Sequence, residues 1–157
     1  MSSTVESIVR STDRRRIAES LVFAMSDAVV LSIKTRAFAW NITGPFAASL
    51  RPMFILQHKD MEIAIEEMSM RIRFLGNPAP TALSQLLSLS NIREESEVLE
   101  WREMVSQLVQ DQTIAAQSAR QVYNFAELTT DTATQELVAR RITRHERNAW
   151  ELKALLE

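Results

Sequence analysis

Two glycines (Gly44, Gly76) and four prolines (Pro45, Pro52, Pro78, Pro80) are all that the 157 residues contain, and these two residue types are the strongest breakers of regular helix. Five of the six lie in two short stretches, 44–45 and 76–80, so long helices can fill the rest. From Ile17 the residues Leu21, Ala24, Ala28, Leu31 and Phe38 form a seam of apolar or small side chains at helical spacing. A first helix is expected over 13–41, capped by Thr12 or Asp13 and closed at Thr43-Gly44-Pro45.

A second seam runs through Phe54, His58, Met61, Ile65, Met68, Ile72 and Leu75, with Gly76 at the position of a left-handed cap. Asn77-Pro78-Ala79-Pro80 forbids continuation, and Thr81 can cap a short helix through Leu83, Leu86, Leu87 and Leu89. The third seam is Trp101, Val105, Leu108, Ala115, Ala119 and Val122. Thr129 to Thr132 with Gln135 then suggests a capping box before a fourth, Val138, Ile142, His145, Ala149, Leu152 and Leu156. Four long helices, each with one apolar stripe, bury those stripes in a four-helix bundle. The long connection, with its short extra helix, joins the second and third, which is the ferritin-like arrangement. One all-α domain over 1–157 is expected, with 1–11 as a short N-terminal tail.

The absence of cysteine removes disulfides and thiolate chemistry from consideration. With no secretory pattern at the start and no apolar run of about eighteen residues, a cytoplasmic protein with no membrane partner is expected. A net charge of −2 gives polyanions no general attraction. The one basic cluster near a terminus, Arg14, Arg15 and Arg16 with Arg10 before it, reads as a solvated first turn rather than a phosphate grip.

Inward-facing glutamates and Glu-x-x-His pairs build a di-iron site in a ferritin-like bundle. No Glu-x-x-His occurs: Ile55 precedes His58 at that spacing, and Ile142 precedes His145. Both histidines fall on seams and read as hydrogen-bonded core residues, as Met61 and Met68 read as core fillers beside Met53 and Met70. Asp60, Glu62, Glu66 and Glu67 read as a solvated or interface face, with Glu67 supporting Arg71 one turn on. Phosphate loops and nucleophilic triads are absent.

The stretch Lys34-Thr35-Arg36-Ala37-Phe38-Ala39-Trp40-Asn41-Ile42-Thr43-Gly44-Pro45 resembles the K-T-H-N-F-H-W-N-V-T-G-P signature of the Dps family, the DNA-binding proteins from starved cells. Ser49-Leu50-Arg51-Pro52-Met53-Phe54 is similar to that family's S-L-H-E-M-F, and Arg71-Ile72-Arg73-Phe74-Leu75-Gly76 to its R-I-R-A-L-G. Leu89-Ser90-Asn91-Ile92-Arg93-Glu94-Glu95 and His145-Glu146-Arg147-Asn148-Ala149-Trp150 extend the likeness over nearly the whole chain. The resemblance implies a dodecameric hollow shell, a mini-ferritin that oxidises iron with peroxide and stores it under stress. Its metal site lies between two subunits.

Carried over position by position, the ligands implied for one subunit become Ala39, Arg51 and Ile55, and those for its partner become Glu66 and Met70. Only Glu66 can still bind a hard cation. No catalytic residue and no resident cofactor are therefore expected, and iron enters only as cargo. An ion pair between Arg51 and Glu66 across the interface, among apolar replacements, is the expected substitute for the metal bridge. Twelve chains at −2 carry about −24, which repels DNA. The expected function is a mini-ferritin shell subunit for iron sequestration that has lost the usual ferroxidase ligands. The alternatives are a ferroxidase with a relocated site at Asp60, Glu62, Glu66 or His58, and a structural subunit that co-assembles with an intact paralogue.

Overall fold

The computed structural model describes residues 10–157, and the first nine lie outside that description. Five helices follow one another: α1 (Ser11–Asn41), α2 (Ala47–Phe74), α3 (Leu83–Leu89), α4 (Trp101–Leu128) and α5 (Thr132–Ala154). Short loops fold α1 against α2 and α4 against α5, and α1 also packs on α4 and α3. No strand occurs among the described residues. The four long helices are the expected bundle, and α3 is the short helix in the long connection. No helix among the described residues is long and apolar enough to cross a membrane.

The seams form the core. Ile17, Leu21, Leu31, Phe54, Met61, Ile72, Val105, Leu108, Val122, Val138 and Leu152 are all buried. Gly76 adopts φ +86, where a side chain is strained. Its N–H reaches Arg73 O at 3.0 Å and that of Asn77 reaches Ile72 O at 3.2 Å, a Schellman end to α2.

The helix starts differ from expectation. α1 begins at Ser11 behind Arg10 and α3 behind Ala82, in both cases without a side-chain cap, so Thr12, Asp13 and Thr81 do not serve. The expected capping box at Thr132 and Gln135 is replaced by Asp131, whose carboxylate accepts from Thr134 N at 3.2 Å. Asp131 also receives Arg71 Nη2 at 2.6 Å. One acid thus caps α5 and ties it to α2, which overturns the expected Glu67–Arg71 support.

The bundle interior holds polar groups as well. Lys34 on α1 meets Asp111 on α4 at 2.7 Å, both buried, and Lys34 Nζ donates to Arg93 O at 3.1 Å. Burial pushes the Asp111 carboxyl up, against the pull of Lys34. Asp27 accepts from Ser118 on α4, from Ser90 Oγ at 2.8 Å and from Asn91 N at 2.7 Å. These bonds latch the long connection onto α1 with every partner inside the chain.

Candidate functional site

A groove of about 680 Å³ lies over the α1–α2 pair, where Arg36, Ala39 and Trp40 of α1 face Arg51, Ile55 and Glu62 of α2. A second, of about 490 Å³, shares Arg36, His58 and Glu62 and adds Ile33, Ile63 and Glu66. Large apolar side chains stand open around both: Trp40 is 68% exposed, Ile63 63%, Ile33 52% and Ile55 39%.

Three of the five positions expected to have lost their ligands, Ala39, Arg51 and Ile55, thus line one groove, and Glu66 lines its neighbour. Met70 is exposed and lines neither. The Arg51 guanidinium reaches back to the end of α1, where Nε donates to Ala39 O and Nη2 to Ile42 O, each at 3.0 Å. Helix C-terminal carbonyls lack intrahelical partners and carry partial negative charge, so a cation there satisfies both needs. Within the chain, among the described residues, Arg51 meets no carboxylate and Glu66 meets no cation.

The acidic group on α2 divides between two flanks, as a helical period requires of residues two apart. Asp60 and Glu67 face α5: Asp60 pairs with Arg141 at 2.9 Å, and Glu67 lies 3.8 Å from Arg140. Glu62 and Glu66 face the grooves. Glu62 Oε1 lies 3.3 Å from His58 Nε2, while His58 Nδ1 sits 2.8 Å from Ser32 Oγ and 3.1 Å from Ser32 O. His58 is the buried, hydrogen-bonded residue expected, yet one edge of its ring reaches the grooves. His145 is buried with Nδ1 2.7 Å from Gln112 Oε1, and burial, helped by the Arg141 charge, pushes its pKa down to about 3. It is neutral at pH 7.

No group of three or more His, Asp or Glu side chains within the chain, among the described residues, could hold a metal ion. At the other end of α1, Arg15 pairs with Glu19 at 3.1 Å and Arg16 lies over the Phe125 ring at 5.2 Å, while Arg10 and Arg14 make no side-chain bond among the described residues.

The sequence patterns gave no warning of Trp40 and Arg36 as groove walls, or of the buried Lys34–Asp111 pair. A signal did exist for two further residues. Leu50, Phe54, Gln57, Met61, Ala64 and Met68 form an unbroken seam of buried residues, as do Val138, Arg141, His145, Asn148 and Leu152. Gln57 and Asn148 are amides at core positions.

An all-α bundle with one long connection that carries a short helix defines a ferritin-like protein, and a ferritin-like domain model matches residues 19–157. The chain belongs to that family. Within it, the relatives that the chain resembles include Dps proteins. A DNA protection during starvation protein of Bacillus anthracis is 25% identical over 142 residues, 90% of this chain and 97% of that protein. A low temperature-induced protein of Nostoc is 25% identical over 135 residues, 85% and 75% of the two chains. The crystal structure of the Dps protein from Vibrio cholerae superposes with TM-score 0.92 at 25% identity and covers 100% of this chain and 98% of that one.

Proposed function

We propose that the chain is a subunit of a closed Dps-type shell, a dodecamer in the cytoplasm, that sequesters iron or protects the cell under stress without oxidising iron at the subunit interface. The observation that carries this reading is Arg51. Its guanidinium is a cation committed to two main-chain carbonyls of α1. A fixed cation beside the groove repels ferrous iron, and Ala39 and Ile55 offer no lone pair. The open apolar rim and the unpaired Glu66 then fit a second copy better than a metal, with Arg51 of one copy facing Glu66 of the other. Such a pair fixes the register of the two copies more than it adds stability. Two measurements test the reading. Sedimentation gives the subunit number, and peroxide-driven oxidation of ferrous iron by the purified shell gives no turnover beyond that of iron and peroxide alone.

The His58–Glu62 contact favours a second reading, a relocated metal site. A nitrogen and a carboxylate already lie 3.3 Å apart at the groove edge, whereas Asp60 is engaged by Arg141 on the opposite flank. Two copies would have to bring their pairs together to supply four ligands. Crystals soaked in ferrous or zinc salt decide it: density between His58 and Glu62 supports the relocated site, and empty density removes it.

A further inference from the structure

The flank of α2 opposite the candidate site carries a cleft of its own. Between α2 and α5 lies a groove of about 370 Å³, lined by Gln57 and Asp60 on one side and Arg144, Arg147, Asn148 and Glu151 on the other. Gln57 is 6% exposed and Asn148 4%. Both atoms of the Gln57 amide and the Nδ2 of Asn148 are buried without a hydrogen-bond partner. Turning the Gln57 amide over changes nothing, because its oxygen and its nitrogen are equally unpartnered. Buried polar groups in folded proteins are nearly always satisfied, so these amides call for a partner from outside the chain that offers both acceptors and a donor, and the cleft beside them has room for one.

The charges narrow its identity. Arg147 Nε donates to Glu151 at 3.0 Å. Arg144 Nε stands 3.6 Å from Asp60, beyond hydrogen-bond distance, with its side chain 48% exposed, so its donors remain available. Behind it, Arg141 holds Asp60 through Nη1 at 2.9 Å and keeps Nε and Nη2 buried without partners. Three arginines thus surround two carboxylates, an excess of one positive charge in a chain whose net charge is −2.

We propose that the α2–α5 groove is a binding site for a protonated oxyanion of the phosphate class. The acceptor oxygens of hydrogen phosphate meet the guanidinium of Arg144 and, once the Gln57 and Asn148 side chains turn toward the cleft, their amide nitrogens. Its P–OH proton meets Gln57 Oε1, or a carboxylate oxygen of Asp60 or Glu151. Sulfate has the same shape and carries no proton at neutral pH. It leaves the Gln57 oxygen unpaired and sets its own oxygens against two carboxylates, so the site discriminates by donor count rather than by size. The inference stands independently of any reading of the α1–α2 groove.

Equilibrium dialysis of the full chain, as it assembles, against inorganic phosphate at neutral pH tests it, with sulfate as competitor and circular dichroism as the check of fold. Saturable phosphate binding is expected, with sulfate weaker by about tenfold or more. Gln57→Met keeps the shape of the side chain and removes both polar atoms, and it weakens phosphate binding by about tenfold or more. Arg144→Gln does the same at a half-exposed position whose replacement leaves the helix intact. Absence of saturable binding, equal competition by sulfate, or unchanged binding by Arg144→Gln would each overturn the proposal and leave ordered water as the occupant.

Discussion

α1 contributes to two regions that are finished in opposite ways. Its inner side supplies Asp27 and Lys34 to a buried polar network in which each charge finds its partners within the chain: Asp111, Ser118, Ser90, and the backbone at 91 and 93. Its outer side supplies Arg36, Ile33 and Trp40 to grooves where apolar side chains stand in the open and Glu66 has no partner within the described chain. A network closed on itself belongs to folding. A surface left open has its complement elsewhere, and the proposed shell provides one, a second copy of the same face.

Substitutions that test this contrast rank by how deeply their charges are buried. Asp111→Ala strands the Lys34 ammonium in the interior and lowers unfolding free energy by about 3–5 kcal/mol in chemical denaturation. A loss below about 1 kcal/mol would mean that water reaches Lys34, and that the inner network is not closed.

His145 probes the same interior by pH. With its pKa at about 3 against an ordinary 6.5, the unfolded chain takes up a proton that the folded chain refuses. Its contribution is complete above pH 6.5 and is lost as pH falls toward 3, at up to about 1.4 kcal/mol per pH unit. The acid limb of the stability profile flattens in His145→Gln, and an unchanged limb would place the titration on other groups.

Effects at the outer face are smaller in the single chain. Arg51→Ala removes two hydrogen bonds from the end of α1 at an exposed position, and costs about 1 kcal/mol by thermal melt of the unassembled chain. A much larger loss of assembled shell than of monomer stability is expected if Arg51 also meets Glu66 of a second copy. Glu62→Gln is the smallest. Its contact with His58 is on the solvent side, and the change stays within about 0.5 kcal/mol.

The helices and the core were legible in the sequence because an apolar stripe every three or four residues is a property of local order. Helix starts were less so. Asp131 displaced the expected cap because its carboxylate serves Thr134 and, 60 residues away in sequence, Arg71. No i,i+4 rule sees such a partner, and for that reason the Glu67–Arg71 support failed. The expectation of lost ligands rests on motif likeness alone, and the structure gathers three of those positions, Ala39, Arg51 and Ile55, around one groove. The commitment of Arg51 to carbonyls of α1 was not legible, since both acceptors are main-chain atoms that every residue type carries. Gln57 and Asn148 sit on core seams, which a polar amide side chain does not announce in the sequence.

In the proposed shell the α1–α2 groove has exchanged iron chemistry for contact between copies. Stopped-flow absorbance of the purified, assembled protein mixed with ferrous iron and peroxide separates the two. The expected trace shows the same ferric signal growth as iron and peroxide without protein, with no saturation in iron. Fast oxidation that saturates at a fixed number of irons per subunit would contradict it.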